Sequence, residues 1–198
     1  MTDSGAIPLF PLHTVLFPGG PLPLRIFETR YTDMIRRCAR EQSPFGVLLI
    51  QQGEEAGEVA TTASVGCTAR IADFHTLEDG LLGISCVGER KFRVRQVWRQ
   101  PDGLNMGEID LLPEEPVLPL PPEYLPLRDA LKRALAELAE HYEHVDKKFD
   151  DAAWVGARLA ELLPMPVSAK QVLLELADPI ERLAALAAFD TTTKESSQ

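Results

Sequence analysis

A proline-rich segment constrains the fold of this chain more than any other feature of the sequence. Six of the sixteen prolines of the 198-residue chain lie between residues 113 and 126. Because proline fixes φ and has no backbone N–H to donate, neither a helix nor a central strand runs through such a segment. The sequence therefore predicts an extended connector at 113–126, between a first subdomain at 1–112 and a second at 127–190, with a flexible tail at 191–198.

The apolar pattern before the connector predicts a β-rich subdomain. Residues 7–26 contain two apolar runs around a Pro-Gly-Gly turn and predict two strands, and the continuous apolar run 45–50 predicts a buried strand. The Asp79-Gly80 pair lies between two apolar segments and predicts a hairpin, because glycine tolerates the positive φ of a tight turn. Residues 27–40 carry apolar side chains at helical spacing and predict the one helix of this subdomain, which we expect to be a small curled sheet or barrel.

After the connector, apolar residues recur at helical spacing in four stretches, which begin near Leu127, Trp154, Ser168 and Asp178. Ser168 and Gln171 match a capping box, in which each side chain satisfies a backbone donor of the other residue. Asp178 followed by Pro179 is typical of a helix start. The fold class predicted is therefore α+β, with a β-rich curled sheet or barrel that contains one helix, followed by a C-terminal four-helix bundle.

The net charge of −10 comes entirely from the second half of the chain. Residues 101–198 contain 9 basic and 19 acidic residues, whereas residues 1–100 contain 11 of each. Clustered Lys and Arg side chains supply the affinity of proteins for phosphate, so an acidic chain binds nucleic acid poorly in general. Nucleic acid is therefore not the favoured partner.

The sequence also predicts a cytoplasmic protein without a membrane segment. No apolar run approaches the length that crosses a bilayer, and the first residues lack the basic and apolar regions of a signal peptide. Cys38, Cys67 and Cys86 are odd in number and form no C-x-x-C pair, which favours buried, reduced thiols.

Four segments in this order resemble the LON substrate-binding domain, the N-terminal module of the ATP-dependent Lon proteases. They are 7–20 (IPLFPLHTVLFPGG), 65–71 (VGCTARI), 88–94 (GERKFRV) and 170–175 (KQVLLE). Thr29 and Cys67 depart from the residues that many relatives carry. The resemblance implies a PUA-like pseudobarrel followed by a helical bundle.

The resemblance also implies a stand-alone recognition module for an unfolded polypeptide or a protein partner, with a separate ATPase or protease among the implied partners. The sequence contains no G-x-x-x-x-G-K-[ST] phosphate loop; the nearest match, residues 83–90, has Glu89 at the lysine position, where it repels phosphate. The Ser-Lys protease domain of the family is missing as well. We therefore expect no enzymatic activity, no catalytic residue and no cofactor.

Five apolar residues are candidates for contact with a polypeptide, since they lie in loops, in the connector or near a helix start: Leu12, Phe17, Leu118, Tyr124 and Trp154. Together they could line a groove in which an extended chain is held by apolar burial and backbone hydrogen bonds. The alternative interpretation is that such residues hold the two halves of the protein together.

Four basic residues form a second candidate surface. Lys91, Arg93, Arg95 and Arg99 alternate with apolar residues, so we expect them to share one strand face. PUA-like barrels include RNA binders, and such a face could follow a phosphate backbone. The alternatives for this face are an ordinary solvated surface and a surface paired with the acidic helices. For the protein as a whole, the alternative function is an RNA- or small-ligand-binding PUA-like protein, and an uncharacterised enzyme comes third.

His141 and His144 stand at i and i+3, a spacing that zinc could use. No third ligand can be assigned from the sequence, so the favoured interpretation is a solvated, acidic helix end. His13 and His75 are isolated. No metal site is predicted.

Overall fold

Seven strands form one sheet in the structure, a computed structural model that describes residues 4–53 and 61–195. They are β1 (Ser4–Leu12), β2 (Pro21–Ile26), β3 (Phe45–Gln52), β4 (Thr61–Thr62), β5 (Val65–Thr76), β6 (Leu82–Arg99) and β7 (Asn105–Leu111). The prediction that the chain before the connector is rich in strands is confirmed.

The sheet closes on itself because β6 is long enough to serve three partners. Residues 82–87 of β6 pair with β2, residues 92–99 pair with β7, and β5 runs along the other edge. β7 pairs in turn with β1, and β1 pairs in parallel with β3, which leads back to β5. The ring removes most of the open strand edges that an isolated sheet would expose.

The predicted hairpin at Asp79-Gly80 is confirmed between β5 and β6. Gly80 has a φ of 82°, which explains the need for glycine at this position. The backbone N–H of Leu77 donates to the carbonyl oxygen of Leu81 at 2.9 Å. The side chain of Asp79 accepts a hydrogen bond from the backbone N–H of Leu81 at 3.1 Å.

The helix predicted in residues 27–40 is confirmed as α1 (Thr29–Glu41). Its apolar stripe, which includes Tyr31, Met34 and Ile35, packs on one face of the sheet. The ring of Tyr31 stacks on that of Phe10 in β1, with the centroids 3.9 Å apart. Side chains alternate along β1, so Leu9, next to Phe10, belongs to a separate small cluster on the opposite face.

All three cysteines are buried and free, as predicted. Burial raises the pKa of Cys67 and raises that of Cys86 to about 12, because a thiolate is poorly solvated in an apolar surrounding. Burial also raises the pKa of Cys38. These thiols are packing residues, since the reactive form of cysteine is the thiolate.

The part of the chain after the connector is helical, as predicted. A 3-10 turn (Pro122–Tyr124) leads into α2 (Leu125–Glu137), which is followed by α3 (Ala152–Leu162), α4 (Val167–Glu175) and α5 (Pro179–Glu195). The helix α3 is central: α2, α4 and α5 each pack against it, and α4 also contacts β5. The helix α5 continues into the segment 191–198, for which the sequence predicts a flexible tail.

The helix starts agree with the sequence in one case and differ in two. Asp178 caps α5 as predicted, since its side chain accepts from the N–H of Ile180 at 2.8 Å. The capping box at Ser168 is wrong, because α4 already begins at Val167. The helix α2 begins at Leu125 and includes Pro126 in its first turn, where a proline is tolerated. The connector, predicted to reach residue 126, therefore ends earlier.

The two halves share one core. Phe17, Val65 and Val87 from the sheet and its loops belong to the same buried cluster as residues of all four helices. Trp154, near the start of α3, is only 6% exposed. The two halves therefore pack together and cover Trp154, in agreement with the interpretation that apolar residues of the loops, the connector and the helix starts hold the halves together.

We expect Trp154→Ala to lower the free energy of unfolding by about 3–5 kcal/mol, because it removes a large buried ring and leaves a cavity. Trp98→Ala is the matched control, since Trp98 is 38% exposed and lies outside this core. Urea unfolding followed by circular dichroism measures both. Equal losses for the two variants would contradict the shared core.

Candidate functional site

A cavity of about 340 Å³ lies between the sheet and the helices. We call it the interface cavity. Its walls come from the Pro18-Gly19 turn, residues 89–91 of β6, residues 112–115 and Val117 of the connector, Trp154 and Ala157 of α3, and Arg182 of α5. The connector therefore forms one wall of this cavity. The other walls come from the loop between β1 and β2, from β6 and from the helices α3 and α5.

The carboxylate of Glu115 holds two buried cations at the edge of this cavity. Lys91 Nζ lies 2.6 Å from Glu115 Oε1, and Arg182 Nη1 donates to Glu115 Oε2 at 2.8 Å. Burial alone would raise the pKa of the Glu115 carboxyl, but hydrogen bonds and charge from Arg182 and Lys91 hold that pKa below its ordinary value. The carboxylate is therefore ionised at neutral pH.

The same two cations close the C-terminal end of α4. Lys91 Nζ donates to the carbonyl oxygens of Leu174 and Leu176, at 3.0 and 2.8 Å. Arg182 Nε donates to the carbonyl oxygen of Leu173 at 2.9 Å. Carbonyl groups at a helix C-terminus lack partners within the helix and carry partial negative charge, so buried cations stabilise them.

A second ionic cluster joins α3 to the Pro-Gly-Gly turn. Arg158 is fully buried; its Nε and Nη2 donate to the two carboxylate oxygens of Glu161 at 2.7 and 2.6 Å. Nη2 also donates to the carbonyl oxygen of Pro18 at 3.0 Å. Burial raises the pKa of Glu161, although Arg158, Tyr142 and Lys170 act against this shift. The arginine fork thus ties α3 to the loop between β1 and β2.

The glycines of this turn are required by the cluster. A Cβ on Gly20 would stand 1.9 Å from Oε1 of Glu161, far inside contact distance. Gly19 has a φ of 70°, a conformation that other residues adopt only with strain. The Pro-Gly-Gly sequence therefore lets the backbone approach the Arg158–Glu161 pair closely.

Nothing in the local sequence predicts these ionic clusters, because most of their contacts join residues far apart in the chain. One signal is available in hindsight. Arg158 and Glu161 are the charged residues of the otherwise apolar helix α3, and their i, i+3 spacing puts them on one face. Such a pair within an apolar stripe indicates a buried ion pair.

The structure buries three of the five side chains that are candidates for contact with a polypeptide. Leu12, Phe17 and Trp154 lie in the core. Leu118 and Tyr124 are half-buried and pack against the same cluster as Phe17 and Trp154. These positions agree with the alternative that such residues hold the halves together. Trp154 also lines the interface cavity, and Leu12 lines a separate groove.

The expectation that Lys91, Arg93, Arg95 and Arg99 form one exposed basic face is wrong at two positions. Lys91 is buried under the helices, because a strand pattern shows which face a residue takes but not what covers it. The register of β6 against β7 shifts at Arg95, which puts Arg99 on the opposite face from Arg93. Arg95 is engaged in a salt bridge with Asp110.

A second groove lies between the end of β1, β2 and the start of α1. We call it the β2 groove; it has a volume of about 400 Å³ and includes Leu12 and the exposed Phe27 among its apolar walls. The sequence did not identify Phe27 as a surface residue, because it opens the apolar stripe of α1. Pro21 and Pro23 deprive β2 of two donors, so its edge is poorly suited to pairing with an added strand.

His141 and His144 lie in the turns after α2 and line, with His75, a small cavity of about 210 Å³. Within residues 4–53 and 61–195, no three His, Cys, Asp or Glu side chains are placed to hold a metal ion.

In the same ranges, no helix is both long and apolar enough to cross a membrane.

We expect Glu115→Ala to destabilise the protein by about 3–5 kcal/mol at neutral pH, because it leaves two buried cations without their carboxylate. The neighbouring Glu114, whose side chain is 77% exposed, is the control: Glu114→Ala should change stability by no more than about 0.5 kcal/mol. Urea unfolding of both variants measures the difference.

The pH dependence of this effect has a definite sign. The folded-state pKa of Glu115 lies below its ordinary value, so its contribution is present above the unfolded pKa and is lost as the pH falls through the folded one. The gap between the wild type and Glu115→Ala should therefore narrow as the pH falls below about 4. A gap that stays constant into strong acid would contradict the assigned ion pairs.

Comparison with known proteins places this arrangement in a family. The model of the ATP-dependent protease La (LON) substrate-binding domain matches residues 6–189. The crystal structure of a Lon N-terminal domain protein from Xanthomonas campestris is 40% identical, with a TM-score of 0.76 over 93% of this chain and 98% of that chain. The N terminal domain of Mycobacterium avium complex Lon protease, at 20% identity, shares the fold, with a TM-score of 0.62 over 94% of this chain and 98% of that one.

Curated relatives match over a shorter region. Protein cereblon of Danio rerio is 32% identical over 119 residues, which are 58% of this chain and 27% of that protein. Protein cereblon of Gallus gallus is 29% identical over 117 residues, which are 57% of this chain and 25% of that protein. The match therefore spans about a quarter of these relatives. Since the family model covers nearly the whole sequence, this chain belongs to the ATP-dependent protease La (LON) substrate-binding domain family.

Proposed function

We propose that this protein binds polypeptide without transforming it, and that the interface cavity anchors part of the bound chain. The observation that carries the proposal is the cavity itself, a pocket of about 340 Å³ with Trp154 and the connector in its walls. Small-ligand sites occupy about 300–1,000 Å³, so this cavity takes a short piece of chain and not a folded domain. Membership of a family named for binding the substrates of a protease supports a polypeptide as the ligand.

The chemistry of the walls suits such a ligand. Trp154, Leu112 and Val117 offer apolar surface, and Val117 is 81% exposed at the edge of the cavity. Charged groups close the inner side, where Glu115 and Arg182 meet. A site with apolar walls and a few fixed polar groups binds by burial and orients its ligand by hydrogen bonds.

Several finer features belong to the same proposal. The closed ring supports the relation to PUA-like barrels, and the packing of three helices on α3 supports a bundle-like second subdomain at 127–190 after the connector. Three buried free thiols suit a reducing, cytoplasmic compartment. The partner is a protein, with a separate ATPase or protease among the candidates. The dispersed basic residues of β6 disfavour RNA.

We expect binding of a labelled unfolded peptide with a dissociation constant in the micromolar range and little dependence on salt, because the contact is small and mainly apolar. Fluorescence anisotropy at low and high salt, with a labelled single-stranded RNA in parallel, measures this. RNA affinity that is tight and falls steeply with salt would overturn the proposal, since that slope reports neutralised phosphates.

Substitution of two exposed valines, one at the interface cavity and one away from it, tests whether peptide binds at this cavity. Val117→Glu adds a charge at the edge of the interface cavity and should weaken peptide binding at least tenfold. Val172→Glu is the control, since Val172 is 62% exposed on α4 and does not line the cavity. An equal effect of the two variants on peptide affinity would remove the cavity from the proposal.

We also expect the purified protein to hydrolyse neither ATP nor casein above the level of buffer. Its sequence lacks the phosphate loop that ATP hydrolysis needs and the Ser-Lys protease domain of the family. Phosphate release and fluorescent-casein assays measure the two activities. ATP turnover that co-purifies with the protein through several columns would contradict a purely binding role.

A further inference from the structure

Two buried donors beside Gly19, a residue in the wall of the interface cavity, lack an acceptor within the described residues: Trp154 Nε1 and Arg158 Nη1. Both side chains are more than nine-tenths buried. Arg90 Nε, another buried donor at this cavity without a hydrogen bond, lies 3.6 Å from the carboxylate of Glu114. A buried donor without a partner destabilises the folded state, and more strongly when the group is charged. A fold that keeps two of them side by side is therefore suited to an acceptor that arrives from outside.

Gly19 leaves the approach to both donors open. A Cβ on this residue would stand 3.1 Å from Arg158 Nη1 and 3.9 Å from Trp154 Nε1, so a side chain there would occupy the space in front of them. Gly19 and Trp154 both line the interface cavity. The Arg158 guanidinium also lies over the Trp154 ring, 5.7 Å from its centroid, which keeps the two side chains together.

The charge around the cavity favours an anionic acceptor. In the first cluster Lys91 and Arg182 share the single carboxylate of Glu115. In the second cluster Arg158 pairs with Glu161, and Lys170 Nζ donates to the backbone carbonyl oxygen of Glu161 at 2.6 Å. Lys170 and Glu161 line a separate cavity, so the excess at the interface cavity comes from the first cluster, with two cations and one carboxylate. An excess positive charge in a poorly solvated site attracts an anion.

The acidic residues at the cavity are already engaged. Glu89 forms a salt bridge with Arg70 at 3.2 Å, and Glu114 lies 3.6 Å from Arg90. The side chain of Asp151 caps α3, since it accepts from the N–H of Ala153 at 3.1 Å. Arginine side chains therefore offset the charges of Glu89 and Glu114, and Asp151 is engaged as a helix cap. The excess positive charge of Lys91 and Arg182 over Glu115 remains.

We infer that the interface cavity takes a carboxylate of the bound polypeptide, with Trp154 Nε1 and Arg158 Nη1 donating to its oxygens. This inference rests on the proposed polypeptide-binding function and adds the group that is recognised. The carboxylate can come from the end of a chain or from an Asp or Glu side chain. Shielding from bulk water makes such charge-assisted hydrogen bonds stronger than they are at a surface.

Four peptides of one apolar sequence test the inference by fluorescence anisotropy. They combine a free or amidated C-terminus with an internal Glu or Gln. We expect at least one peptide with a carboxylate to bind tenfold more tightly than the peptide with none. Comparison of the free C-terminus with the internal Glu shows whether a chain end or a side chain supplies the carboxylate. Equal binding of all four would overturn the inference and leave the proposed function standing. If none of the four peptides binds, both the inference and the proposed polypeptide-binding function are wrong.

Trp154→Phe keeps an aromatic ring but removes the indole donor, so the tenfold preference for a carboxylate should fall. Trp98→Phe is the control and should keep the preference. A preference that survives in a folded Trp154→Phe protein would remove Trp154 from the site.

The wild type gives a readout that needs no variant. The protein has two tryptophans, and the nuclear magnetic resonance signal of the Trp154 indole N–H should move on addition of the carboxylate peptide while that of Trp98 stays. Movement of the Trp98 signal alone would overturn the assignment.

Discussion

One carboxylate fixes the arrangement of the sheet, the connector and the helices. Glu115 of the connector stands between Lys91 of β6 and Arg182 of α5, and both cations also bind the free carbonyl groups at the end of α4. A buried ion pair can contribute less to stability than an apolar pair of the same shape, but removal of one partner leaves an uncompensated charge. The position of α4 and α5 on the sheet depends on this contact.

The same interface creates the candidate site. The prolines of the connector interrupt helix and sheet, and its first part, residues 113–118, belongs to neither and forms a wall of the interface cavity. The Pro-Gly-Gly turn forms a second wall, because Arg158 and Glu161 draw it onto α3. A groove at the contact of two subdomains is a common place for ligand binding. Here the groups that join the subdomains are also those that give the cavity its charge.

Features set by neighbouring residues could be predicted from the sequence, and features set by distant partners could not. The apolar spacing of α1, the Asp79-Gly80 turn and the Asp178 cap depend on local geometry, and all three were correct. The capping box at Ser168 failed because Gln171 instead donates to the carbonyl oxygen of Val65, across the interface, at 3.0 Å. The strand pattern alone predicts that Lys91 is solvated, whereas the structure covers it with α4 and α5. The register shift at Arg95 leaves no mark in the apolar pattern.

The most direct test of this account is hydrogen–deuterium exchange of the full chain with and without a saturating unfolded peptide. Binding at the interface cavity predicts slower exchange in the connector at residues 112–118 and at the start of α3, while the β5–β6 turn around Gly80 is unchanged. Slower exchange confined to the β2 groove, around residues 10–14 and 21–28, would contradict the account and move the site to Phe27 and its neighbours.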